Sequence, residues 1–163
     1  MTISNLLTPG DAFPPLTLVR PGGDTLGLPV PGEYTVVLFY RGSWCPYCNA
    51  QLRAFERAQD KLAEVGAHVV ALSIDDEATT QATIDRHGLS FPVGHSADAR
   101  ALAQATGAVV NPDAGYVEST GFVVGPEGKV LVGVYSTNAI GRLVPDDVIG
   151  FIRYVREHEH AAA

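Results

Sequence analysis

"FYRGSWCPYCNAQLRAF", Phe39 to Phe55, holds both cysteines of the chain, Cys45 and Cys48, and its single tryptophan, Trp44. It begins inside "YTVVLFY", Tyr34 to Tyr40, an unbroken β-branched and aromatic run of the kind that forms a strand buried on both faces. Directly afterwards the period changes. Leu52, Phe55, Ala58, Leu62 and Val65 recur at spacings of three and four, charged residues fill the opposite face, and Gly66 follows as a stop. The stretch is therefore a strand-to-helix corner, with an amphipathic helix predicted to start at or near Cys45.

That corner has a chemical advantage for a thiol. With Cys45 as N-cap, Pro46 takes the first helical position, where a missing N–H costs nothing, and Cys48 lies on the same face three residues on. The positive end of the helix favours a thiolate at Cys45 by roughly 0.3 to 2 kcal/mol, which lowers its pKa below that of a free thiol. Such a thiolate attacks a disulfide or a peroxide, and a second thiol at i+3 then resolves the mixed disulfide or sulfenic acid.

The rest of the chain alternates in the same way. "AHVVALSI", Ala67 to Ile74, predicts a second buried strand, and "DDEATTQATIDRHG" predicts a helix in which the paired acids Asp75 and Asp76 cap the start. A short strand near Phe91 to Val93 and a helix of about two turns ending at Gly107 follow. "TGFVVGPEGKVLVGVY" predicts a hairpin, and "LVPDDVIGFIRYVREH" a closing helix with Pro145 in its first turn. Ahead of the first buried strand, Gly10 to Tyr34 is rich in proline and glycine and is expected to form short extended pieces and turns. These elements predict an α/β fold, a central mixed β-sheet flanked by helices on both faces, with the cysteine pair at a strand-to-helix corner.

Composition bounds the function. Residues 1–163 suffice for one domain, with residues from about 157 onward ("EHEHAAA") expected as a flexible tail. A formal net charge of −7, with Lys61 and Lys129 the only lysines, offers no basic stripe for nucleic acid. The opening "MTISNLLTPGD" has no cationic and apolar leader pattern, and no segment is apolar enough to span a membrane, so the expected location is cytoplasmic. A C-x-x-C closes too short a loop to staple the fold, and zinc needs four ligands where the five histidines stand at unrelated spacings, so no metal is expected.

At the corner, "FYRGSWCPYC" resembles the active site of the thioredoxin superfamily, with Trp44 before the first cysteine and Cys45-Pro46-Tyr47-Cys48 identical to the dithiol motif of glutaredoxins. Around it, "PGDAFPPLTL", "VVALSIDDEA", "LSFPVGHSADARALAQATGA" and "TGFVVGPEGKVLVG" resemble, in order, the peroxiredoxin-like proteins of the alkyl hydroperoxide reductase/thiol-specific antioxidant (AhpC/TSA) type. The resemblance implies a thioredoxin fold with the peroxiredoxin N-terminal extension and insertion. It also marks departures. In the P-x-x-x-[TS]-x-x-C pattern of peroxiredoxins the proline position holds Leu38 and the hydroxyl position Gly42, and the family's later arginine falls at Ser119. Arg41 and Ser43 are the expected substitutes. The buried acid of thioredoxins is replaced by Phe39, and their substrate-binding cis-proline loop corresponds to Thr120 and Gly121.

The reading that follows is a thiol-disulfide redox enzyme with Cys45 as nucleophile and Cys48 resolving. Arg41, Ser43, Trp44, Pro46, Tyr47, Thr120 and Gly121 are expected to bind substrate or tune the pair. It binds no cofactor, takes electrons from an external thioredoxin- or glutathione-type thiol, and acts on a protein disulfide or a hydroperoxide; a homodimer stays open. The alternatives are a thiol-dependent peroxidase using the same two cysteines, and a redox-sensing or metal-holding module that does not turn over.

Overall fold

The computed structural model describes residues 6–162, the side chains of the last three of these excepted; the first five residues of the opening segment lie outside the described part. β3 (Tyr34–Phe39) is the central strand, every one of its six residues buried. It pairs in parallel with β4 (Ala67–Leu72), Val36 opposite Val69 and Leu38 opposite Ala71. On its other side it runs antiparallel to β6 (Thr120–Val124), Phe39 opposite Thr120 and Leu38 opposite Gly121. β5 (Val93–Gly94) extends the sheet beyond β4, and β7 (Val130–Tyr135) extends it beyond β6, for an order β5-β4-β3-β6-β7. The expected N-terminal pieces form a separate antiparallel hairpin, β1 (Leu16–Val19) with β2 (Thr25–Leu28).

Alternation along β3 builds two cores. Tyr34, Val36 and Leu38, continued by Tyr40 beyond the strand end, face a cluster with Leu52, Phe55, Leu62, Val148 and Ile152, contributed by α1 (Pro46–Arg57), α2 (Gln59–Glu64) and α5 (Pro145–Ala162). Val37 and Phe39 face the other side, where Phe13, Leu18 and Leu28 of the N-terminal segment meet Leu102 of α4 (Ala99–Thr106) and Phe122. The sheet is thus covered on both faces, which is why β3 carries no polar alternation. α3 (Glu77–His87) begins at Asp76, whose carboxylate accepts the Thr79 N–H at 2.8 Å, and ends at Gly88 in the left-handed region.

Three boundaries differ from the sequence expectation. The helix predicted from Cys45 to Val65 is two: the Ala58 N–H is shared between the Ala54 and Phe55 carbonyls, and Gln59 Nε2 donates to Phe55 O, so the chain tightens and bends at Ala58. The bend keeps Leu52, Phe55 and Leu62 in one core. Of the two acids expected to cap α3, only Asp76 does so; Asp75 turns toward the cysteine corner. The last helix continues to Ala162, through residues expected as a separate tail.

Phe122 sits at the centre of the second core, with no exposed surface and edge-to-face contacts to Phe13, Phe39 and Tyr135 at centroid distances of 5.4, 5.7 and 5.6 Å. Phe122→Ala is expected to cost about 3–5 kcal/mol, seen as a lower urea midpoint at unchanged slope.

Candidate active site

β3 ends at Phe39, and the chain turns through Arg41 to Trp44 before α1 begins. The turn closes when the Cys45 N–H donates to Gly42 O at 3.2 Å. Behind it, the Asp75 carboxylate accepts the Ser43 N–H at 2.9 Å, and Asn49 Nδ2 donates to Ser43 O at 3.0 Å. Burial raises the Asp75 pKa above the ordinary carboxylate value, although the Ser43 and Ser73 hydrogen bonds pull the other way. Asp75 therefore holds the loop from beneath, a role that its reading as half of a helix cap did not foresee.

Cys45 is the N-cap of α1. Its sulfur accepts the Cys48 N–H at 3.2 Å, and Pro46 fills the first helical position as expected. Both thiols are free and fully buried. A buried anion has to be compensated, and two guanidinium groups arrive to do it. Arg41 Nη1 lies 3.9 Å from Cys45 Sγ, and its backbone N–H donates to Cys48 Sγ at 3.3 Å. Arg142, from the segment leading into α5, places Nη2 at 3.6 Å from Cys45 Sγ and 3.2 Å from Cys48 Sγ.

Each arginine is itself held. Arg41 Nε donates to the buried Glu118 carboxylate at 2.9 Å and Nη2 to the Tyr116 hydroxyl at 2.8 Å, and the guanidinium lies over the Trp44 and Tyr116 rings at 4.9 and 5.0 Å. Arg142 donates from Nη1 to Gln51 Oε1 at 2.9 Å and from Nε to Ala139 O at 2.8 Å. Neither side chain can leave the sulfurs without breaking these bonds, which is the preorganisation a charged reaction needs.

The two thiols are driven apart in acidity. Burial opposes ionisation of Cys45, but the bonds donated by the Cys48 thiol, the Cys48 backbone and Arg41, with the field of Arg142, outweigh it, and its pKa is lowered. Burial acts on Cys48 as well, and its bond to Cys45 adds to it, pushing it up to about 11 despite Arg142. The arrangement favours ionisation of Cys45 over that of Cys48, which keeps its proton and can donate it to the Cys45 sulfur.

The expected residues divide. Arg41, expected as a substitute for the family's missing groups, lies with Nη1 near the Cys45 sulfur and its backbone N–H on the Cys48 sulfur. Ser43 acts through its backbone, and its hydroxyl touches neither sulfur. Trp44 and Tyr47 are more than half exposed at the rim, Trp44 tilted against Tyr116 at 4.8 Å. Thr120 and Gly121 form no open binding loop: both are buried in β6, the Thr120 hydroxyl donates to Glu118 O, and a side chain at 121 would strike Leu143. Ser119 is likewise buried, its carbonyl accepting the Ser136 N–H, and the guanidinium groups near the sulfurs are those of Arg41 and Arg142. A Cβ at Gly42 would meet the Trp44 indole, so a hydroxyl side chain there requires the half-exposed ring to move. Arg142, Glu118, Tyr116, Asp75 and Gln51 were missed; each lies far from the motif in sequence or, like Gln51, reads as an ordinary helix residue.

A thiol pair at the N-terminus of a helix after the central strand of this five-stranded sheet is the architecture of the thioredoxin fold. Residues 9–132 match the AhpC/TSA family, and the chain belongs to it. A protein assigned to the peroxiredoxins in Mycobacterium tuberculosis is 31% identical over 152 residues, covering 88% of this chain and 94% of that protein. The solved structure of Mycobacterium tuberculosis AhpC superposes with a TM-score of 0.78 at 26% identity, covering 94% of this chain and 96% of that one. A shorter likeness, 34% over 59 residues, joins 36% of this chain to 34% of the thiol-disulfide oxidoreductase ResA of Halalkalibacterium halodurans. The protein is a peroxiredoxin-like thiol oxidoreductase. Among the described residues no three His, Cys, Asp or Glu side chains gather as metal ligands, and no helix is long and apolar enough to cross a membrane.

Iodoacetamide alkylation of Cys45 should rise with pH through a pKa lower than that of a free thiol and then level off, since only the thiolate reacts. Removing one charge from the sulfurs by Arg142→Met should move that midpoint upward and slow alkylation at neutral pH about fivefold, with Arg142→Lys restoring part of the rate. An unmoved midpoint would show that Arg142 is only a structural contact.

Proposed function

We propose that the chain is a thiol-dependent peroxidase in which Cys45 is the peroxidatic thiolate and Cys48 resolves it. The observation that supports this reading is the pair of guanidinium groups converging on one buried sulfur, beside a second thiol with a high pKa. Cys45 Sγ attacks one oxygen of the hydroperoxide; the S–O bond forms as the O–O bond breaks, and the leaving alkoxide takes a proton and departs as an alcohol or water. Arg41 and Arg142 stabilise the charge that passes from sulfur to the leaving oxygen. The Cys48 sulfur, its proton lost to solvent or to the departing hydroxide, then attacks the Cys45 sulfenic acid and expels water. The disulfide that results holds the two electrons' worth of oxidation, and an external dithiol returns the pair to the reduced form.

Arginines take the place of the family's hydroxyl and later arginine, and Gly42 gives its space to Trp44. A second reading, thiol-disulfide exchange with a protein substrate, draws on the exposed Trp44 and Tyr47 at the rim and on the likeness to ResA. The two readings share residues and differ in the electrophile.

Stopped-flow Trp44 fluorescence of the reduced protein mixed with hydrogen peroxide separates them. The peroxidase reading expects a second-order rate at least a hundredfold above that of the unfolded chain, abolished in Cys45→Ser. In Cys48→Ser the first step should persist and a dimedone-reactive sulfenic acid should accumulate at Cys45. A folded protein no faster than the unfolded chain, yet able to exchange with a protein disulfide, would replace the first reading by the second.

A further inference from the structure

Away from the sulfurs, a cavity of ≈ 310 Å³ lies between α3 and the loop that precedes the thiols, lined by Ser43 from the loop and by Thr79, Ala82, Thr83, Arg86 and His87 from α3. No carboxylate lines it. Arg53 of α1 meets the cavity at His87, its Nη1 lying 3.4 Å from His87 Nδ1. With a guanidinium N–H on Nδ1, the neutral imidazole carries its proton on Nε2, as a further donor.

Three cationic or potentially cationic side chains from two helices therefore converge, in a chain whose formal charge is −7. Neither Arg53 nor Arg86 takes part in an ion pair among the described residues. The acids of the neighbouring turns are engaged elsewhere: Asp75 accepts the Ser43 N–H, Asp76 the Thr79 N–H, Asp85 a Gln81 amide proton, and Glu56 the N–H and hydroxyl of Ser90. The negative end of α3 accounts for Arg86 and His87 in its last turn. It does not account for Arg53, which comes from another helix and adds like charge. The His87 pKa registers the crowding: burial lowers it, and the Arg53 and Arg86 charges lower it further. A bound anion would relieve all three groups at once. Two guanidinium groups, an imidazole and the Ser43 hydroxyl offer more donors than one carboxylate accepts, and suit the three oxygens and nearly double charge of a phosphoryl group. The volume exceeds what such a group fills and falls at the lower end of small-molecule sites, about 300–1,000 Å³.

We propose that this cavity binds a small phosphorylated molecule, with its phosphoryl group on Arg53, Arg86 and His87 and the rest of it over Ala82 toward Ser43. The site is separate from the sulfurs and does not depend on which electrophile Cys45 attacks.

Calorimetry with glycerol 3-phosphate at pH 7.5 tests it directly. Binding to the reduced protein should be saturable, and Arg53→Gln/Arg86→Gln, at two exposed positions, should weaken it about tenfold. Succinate, a dianion with carboxylates only, should bind about tenfold more weakly than glycerol 3-phosphate, and inorganic phosphate severalfold more weakly. His87 is followed separately by NMR titration with sulfate, a tetrahedral dianion whose charge stays constant over the range. Sulfate should raise the His87 midpoint, because an anion favours the imidazolium. The double variant should start from a higher midpoint than the parent and gain little from sulfate. Absent binding, binding that survives the double variant, or a His87 midpoint unmoved by sulfate overturns the site. Succinate equal to glycerol 3-phosphate overturns the phosphoryl preference, and inorganic phosphate equal to it overturns the small molecule in favour of the free ion.

Discussion

A sulfur that has to ionise without solvent is the constraint from which the rest of the site follows. Cys45 has no exposed surface, so the water that would ordinarily solvate a thiolate has to be replaced by fixed dipoles and charges. The helix N-terminus supplies one N–H, Cys48 a thiol, and Arg41 and Arg142 supply positive charge. Arg142 is 97 residues from Cys45, and the contact is possible only because α5 packs its Val148, Ile149 and Ile152 into the same core as Leu52 and Phe55 of α1. Packing of the first core and acidity of the nucleophile are in this sense a single property.

Burying positive charge beside the thiolate creates a second problem, which Glu118 addresses. The Arg41–Glu118 pair is nearly dry, with side chains 11% and 4% exposed, and a buried pair of this kind contributes little net stability. Its effect is on geometry: with Tyr116 and Trp44 stacked about the guanidinium, Arg41 keeps one orientation. Stability is drawn instead from the apolar cores on both faces of the sheet, the second centred on Phe122 away from the thiols.

Much of the fold was legible because it depends on local pattern. The run Tyr34 to Tyr40, the periodic helix after it and the Cys-Pro pair at their junction place both thiols within one turn of a helix start. The bend at Ala58 was hidden because Gln59 and Ala58 suit an uninterrupted helix equally well. The motif could also announce Arg41, which lies inside it. Arg142 could not be announced: it follows a glycine in an irregular segment, and only the docking of α5 brings it to the sulfurs. Asp75 was misread for a related reason, since two adjacent acids before a helix look alike in sequence, while only one can reach the free N–H groups of α3. Thr120 and Gly121 were placed by analogy with a loop, whereas the pairing of β6 with β3 consumes their backbone.

The collision between a side chain at position 42 and the indole at position 44 bears on how such sites diverge. With the indole where it lies, a side chain at 42 has first to displace it, whereas the ring at 44 can shrink while Gly42 stays. The order of a paired change therefore matters: the ring has to move or shrink before a side chain enters at 42. The tolerance of position 42 is thus set by what stands at position 44.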